Sequence, residues 1–162
     1  MGRITRTNFG CTVTVDIPNA SVLTLPTAGI TLVSAIAGAV IFPIAALARL
    51  SWVADYTNID AAAQFKISCG DLELTHLNET VAGSTVSDLL AAGGTFSVAF
   101  GGLLTPVSGN QTIPIAGLDD VAVGVGQPLT VFINNQASGN LTGGDPGNVL
   151  QLTTFYCVVP VS

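Results

Sequence analysis

Charge is scarce in this chain. Lys, Arg, Asp and Glu make up 9% of its 162 residues, against about 25% in an average soluble domain. Aromatic residues are scarce too, at 6%, with one tryptophan, two tyrosines and a single histidine, His76. A Ser–His–acid triad would have to use that one histidine, and no serine carries the flanking glycines of a nucleophile elbow. His76 therefore reads as a polar residue at a strand end. Asp71 and Glu73 lie two apart and so share one face of a strand, but a glycosidase pair needs an aromatic-lined cleft that this composition does not supply. No enzyme activity is expected. The three cysteines, Cys11, Cys69 and Cys157, are odd in number and lack CxxC spacing, which excludes a zinc site of the usual kind. They read as buried, reduced, small apolar residues, with one disulfide plus a free thiol as the alternative.

Loops offer little more. Asp119-Asp120 and Gly143-Gly144-Asp145 have oxygen ligands of the type calcium takes, yet neither follows EF-hand or nonapeptide spacing, so both read as turns. Gly124-Val125-Gly126 lacks the third glycine and the following helix of a dinucleotide site and is also a turn. The sequons at Asn19, Asn78, Asn110 and Asn140 are what a chain rich in Ser and Thr produces by chance. No cofactor and no metal are implied.

Net charge is −6, unevenly placed. Arg3 and Arg6 fall within the first six residues, leaving two basic residues against ten acidic ones in the remainder. An acidic body repels phosphate backbones, which argues against nucleic-acid binding. Residues 1–9 read as a flexible basic arm, and Arg3 and Arg6 are the candidate contacts to an acidic partner surface; the alternative is a solubilising terminus. The opening MGRITRTNFG matches neither a secretory signal nor the myristoylation pattern. Hydrophobic residues reach 49%. With so few charges to keep copies apart, part of the surface is expected to be covered by other subunits.

Between Ile17 and Ala48 no residue is charged, and a hydropathy window alone would mark a membrane span. Pro26, Pro43, Gly29 and Gly38 break the run into strand-sized pieces, so no membrane insertion is expected. Alternation and β-branched content predict strands at 11–17, 21–25, 29–34 and 64–69, with 71–76 either a partner for the last or its continuation as one strand bulged about Gly70. They predict further strands at 95–100, at 111–116 on an edge because of Pro114, and at 128–134 and 149–159 joined as a terminal hairpin. Residues 39–53 read as one long, bent strand with Pro43 at a bulge or edge. Residues 55–63 are a loop, and 85–92 a short helix capped by Thr85 with Asp88 three positions on. The expectation is a single all-β domain over residues 10–162: an antiparallel β-sandwich, jelly-roll-like, with about nine or ten strands and little helix.

Several stretches carry a resemblance: Gly29-Ile30-Thr31-Leu32-Val33, residues 41–50, Gln127-Pro128-Leu129, Leu141-Thr142-Gly143-Gly144-Asp145 and Tyr156-Cys157-Val158-Val159. In these the chain resembles small all-β virion structural proteins of tailed bacteriophages, over about residues 21–159. Pro146 stands where such proteins often have Gly, Phe155-Tyr156 where they have paired tyrosines, and residues 78–125 match no part of the pattern. The resemblance implies a jelly-roll-like module that assembles as a homotrimer on the capsid surface, as a decoration or minor capsid protein. Its partners would be its own copies and a major capsid protein or other virion protein. The alternative is a fibre, spike or receptor-binding, adhesin-like module.

Overall fold

The computed structural model describes residues 10–70, 72–75, 86–91, 96–101, 124–135 and 139–161. Within them the first elements are β1 (Cys11–Pro18), α1 (Asn19–Thr24), β2 (Ile30–Val33), β3 (Ala39–Ser51), β4 (Tyr56–Thr57) and β5 (Gln64–Cys69). They are followed by β6 (Leu72–Thr75), α2 (Val86–Ala91), β7 (Phe96–Gly101), β8 (Leu129–Asn134), β9 (Thr142–Gly143) and β10 (Val149–Pro160). The chain is all-β, as its alternating segments predict.

Eight strands form two four-stranded sheets, in the orders β1-β10-β3-β7 and β2-β8-β5-β6, while β4 and β9 pair separately. Every pairing is antiparallel. Four of the pairings are nested along the sequence: β5 with β6, β3 with β7, β2 with β8, and β1 with β10. The other two large ones, β3 with β10 and β5 with β8, knit those pairs into the sheets.

The period of two sets what is buried. In β1, Ile17 lies opposite Leu150 and Val15 opposite Leu152, and this side faces inward, whereas Thr12, Thr14 and Asp16 are exposed. In the second sheet Phe65, Ile67, Leu129, Val131 and Ile133 are buried in the same way. These side chains join Ile41, Leu50, Leu150 and Leu152 of the first sheet in one hydrophobic core. The architecture is therefore sandwich-like.

Residues 39–51 do form one long strand, and Pro43 sits where a residue without an N–H is tolerated. β3 pairs with β10 from Ala39 to Ser51 but with β7 only from Ala45 to Leu50. The register shifts at this point: Phe155 faces Ala45 and Tyr156 faces Pro43, so Ile44 is the extra residue of a bulge.

Three expectations are corrected. Residues 21–25 are not a strand, because α1 covers Asn19–Thr24. Its start follows Pro18, already at φ −70°, and Val22 and Leu25, one turn apart, are both fully buried. As a strand the two would point to opposite faces, and one would lie in water. The carbonyls at the helix end are taken by later segments, Leu23 O by Leu141 N (3.0 Å) and Leu25 O by Ile133 N (3.3 Å). Secondly, the strands at 129–134 and 149–160 are not a hairpin, since β8 lies in the second sheet and β10 in the first. Thirdly, the cysteines are free, but only Cys69 is buried; Cys11 and Cys157 are half-buried at the end of the β1–β10 pair.

The predicted helix at 85–92 is α2, with Val86, Leu89 and Leu90 buried; its proposed cap Thr85 lies outside the described residues. The predicted strand 111–116 also lies outside them. The loop at 55–63 holds β4 and a turn at 61–62. No helix among the described residues is long and apolar enough to cross a membrane.

Candidate functional site

Arg3 and Arg6, the expected partner contacts, lie outside the described residues, as do Asp71, His76, Asn78, Asn110, Asp119 and Asp120. Among the described residues, no three His, Cys, Asp or Glu side chains converge as a metal site would require. The turn reading of Gly124-Val125-Gly126 holds. Gly126, at φ +67°, bonds Ala39 O through its N–H (2.9 Å), and the Cys69 thiol donates to Gly124 O (3.4 Å).

The Leu-Thr-Gly-Gly-Asp stretch is a clamp. Thr142 pairs with Thr57 and Gly143 with Tyr56, and Gly144 N–H bonds Asp55 O at 2.8 Å. Gly144, at φ +69°, has no room for a side chain: a Cβ there would strike Asn19 Oδ1 and come within 2.7 Å of the Tyr56 ring. The Asp145 side chain folds back on its own turn. Its Oδ1 accepts from Gly147 N at 2.7 Å, and its carbonyl accepts from Asn148 N at 2.8 Å. This is an Asx turn around Pro146. Asn148, fully buried, then accepts from Val53 N (2.7 Å) and Ala54 N (3.2 Å) and donates to Ala54 O (2.7 Å). The most distinctive sequence motif thus fastens the crossover from β8 to β10 onto the β3–β4 loop. Beneath it, Asn19 Oδ1 and the Tyr56 hydroxyl are buried without a well-formed hydrogen bond. Burial pushes the Tyr56 phenol above its ordinary value, against a smaller downward pull from the Asn148 side chain.

At the other end of the first sheet Cys11 lies opposite Tyr156, one position before Cys157. Burial, and then the neighbouring Cys11, push both the Tyr156 phenol and the Cys157 thiol up. A raised thiol pKa leaves little thiolate at neutral pH, the opposite of a nucleophilic cysteine.

The outer faces of the two sheets differ, and here the surface becomes informative. On the second sheet, Thr31 is exposed, Ser68 and Thr130 share a hydrogen bond at 3.2 Å, and Lys66 Nζ lies 5.8 Å from the centre of the Phe132 ring. Gln64 faces Asn134 across the β5–β8 pair. That face is largely polar. On the first sheet one end is polar: Gln151 donates to Asp16 (2.9 Å), Arg49 lies opposite Gln151, and Thr14 and Thr153 bond through their hydroxyls (3.0 Å). Beyond this row the face turns apolar. Leu47, Phe155 and Val159 stand exposed on it, with half-buried Ala45 and Cys157 between them by register. Ile36 and Val161, also exposed, lie where β3 begins and β10 ends, a junction marked by the Val161 N to Gly38 O bond of 2.8 Å. Sequence reasoning anticipated that apolar surface would be left uncovered but named no residues, because which alternate set of β3 and β10 faces outward depends on the bulge at Ile44. The chain matches no family model, and no curated protein or solved structure is significantly similar to it.

Proposed function

We propose that this chain is a virion structural protein, a jelly-roll module that assembles with copies of itself on a phage capsid as a decoration or minor capsid protein. The observation that carries the reading is the nested strand order. Pairing β5 with β6, β3 with β7, β2 with β8 and β1 with β10 makes one long antiparallel ribbon. Rolling it up brings β10 beside β3 and β8 beside β5, an order that supports the jelly-roll reading, a double-sheet fold used by capsid and lectin domains. The step from fold to role is an analogy. It is supported by the resemblance carried by residues 141–145 and by the low charge of the chain, which favours close packing of many copies over a dissolved monomer.

Jelly rolls also serve as lectins, and the polar second-sheet face with Phe132 and Lys66 favours an adhesin-like module as the second reading. Quantitative mass spectrometry of purified particles from the source separates the two. Copies in a simple ratio to the major shell subunit are the expected result. A handful per particle would favour the fibre or receptor-binding reading, and absence from particles would overturn both.

A further inference from the structure

The structure assigns the outer face of the β1-β10-β3-β7 sheet as the surface through which one copy of this chain packs against another. This rests on the self-assembly part of the proposed function and not on location in a virion.

The first argument is area. Among the described residues six large hydrophobics are exposed, and five of them, Ile36, Leu47, Phe155, Val159 and Val161, lie on this face or at the end of the sheet where β3 begins and β10 ends. Each leaves 38–44% of its surface in water, which sums to roughly 350 Å² of apolar area, the size of the largest and often functional patch on a typical monomer. A standard interface needs about 800 Å² from each partner. Half-buried Ala45 and Cys157 and the Thr12, Thr14, Thr153 and Gln151 rim extend the patch, giving the apolar centre and polar border of a protein contact.

The second argument is charge. The whole chain carries −6, so two copies repel each other over most approaches. On this face the charged residues with described side chains are Asp16 and Arg49, one of each sign, and they flank Gln151 in a single row across the sheet. A neutral face is where like-charged copies meet at least electrostatic cost. It also offers no cationic surface for nucleic acid and no excess charge to select an oppositely charged partner, which leaves an identical, equally neutral and apolar face as the best match. Copies arranged about a rotation axis would turn their first sheets inward and leave the polar second-sheet faces outward.

The test is sedimentation velocity on the full chain, with Leu47→Lys combined with Phe155→Lys, and Thr31→Lys on the opposite face as the charge control. The expected result is a multimeric mass for the unaltered chain and for the control. The double variant should sediment as a monomer with unchanged far-ultraviolet circular dichroism, its association weakened by about a hundred-fold or more. A monomeric unaltered chain, a double variant that keeps its mass, or a control that dissociates equally would each overturn the assignment. Should the double variant fail to fold, hydroxyl-radical footprinting of the unaltered chain decides the matter. Oxidation of Phe155 and Leu47 should rise as the multimer is diluted, and no change on dissociation would overturn the assignment. Because these measurements need no virion, they can fail while the chain is still found in particles, or succeed when it is not.

Discussion

The side chain of Asn148 grips both ends of the residue Ala54: its Oδ1 accepts from Ala54 N at 3.2 Å and its Nδ2 donates to Ala54 O at 2.7 Å. A third bond, from Val53 N at 2.7 Å, fills both acceptor sites of the amide oxygen. The grip lets the chain leave β3 and return as β10 without leaving peptide groups unpaired, because a fully buried amide stands in for the missing strand partner.

Replacing that amide should therefore be costly. Asn148→Ala strands two N–H groups and one carbonyl, and a loss of about 2–4 kcal/mol is expected in urea denaturation. Asn140→Ala is the contrast. Its side chain accepts from Thr27 Oγ1 at 2.6 Å at an exposed site, where water substitutes, so the loss should stay below about 1 kcal/mol. Equal losses at the two positions would refute the clamp.

Two glycines with nearly the same φ separate conformational strain from crowding. Gly38 has φ +67° and open space around a built Cβ, whereas Gly144 has φ +69° and would press on Asn19 and Tyr56. Gly38→Ala should cost about 1 kcal/mol, the price of left-handed backbone alone. Gly144→Ala should cost at least about 2 kcal/mol more. Matching melting temperatures for the two variants would mean that residue 144 is not pressed against Tyr56.

The thiols should divide by position. Cys69 is buried and donates to Gly124 O and Gln127 O, both at 3.4 Å, so a maleimide should reach it only on unfolding. Cys157 is half-buried with its pKa pushed up by burial and by Cys11. Its labelling in the folded protein should rise with pH and reach half its maximal rate above the ordinary thiol value of 9.0. Intact mass after labelling counts the modified thiols. Rapid native labelling of Cys69, or a disulfide-linked product from freshly purified chain, would contradict the structure.

Much of this was legible in the residues. The alternation of Thr12, Thr14 and Asp16 against Val13, Val15 and Ile17 gives β1 and its buried side together, and Pro43 marks the bulge in β3. Alternation reports which side of a strand is buried; it carries nothing about which sheet the strand joins. That is why residues 129–134 and 149–160 read as neighbours although the core lies between them. Helix α1 was hidden for a related reason. Over five residues, Ser21-Val22-Leu23-Thr24-Leu25 is apolar enough for either period, and burial of Val22 and Leu25 against the sandwich decides it. The outward apolar face was foreshadowed only by composition, since charge scarcity has no address along the chain.

Tyr56 supplies a prediction in which a conservative change should help. Its ring is buried and packs against the Gly-rich clamp, yet its hydroxyl makes no well-formed hydrogen bond and is engaged only weakly by the Asn148 side chain. Tyr56→Phe removes a poorly satisfied polar atom while keeping the ring, so neutral-pH stability should hold or rise by up to about 1 kcal/mol. The pH dependence follows from the raised phenol. Below the ordinary value of 10.0 both folded and unfolded forms keep the proton, and Tyr56 contributes no slope. Above 10.0 the unfolded chain ionises first while burial holds the proton in the folded one, so stability falls with pH until the folded phenol also titrates. Tyr56→Phe should flatten this alkaline limb without abolishing it, because Tyr156 and Cys157 are shifted in the same direction. Urea denaturation across pH 8–11 checks both statements. A loss above about 1 kcal/mol at neutral pH would show that the hydroxyl is bonded after all, and an unchanged alkaline slope would show that it titrates freely in the folded state.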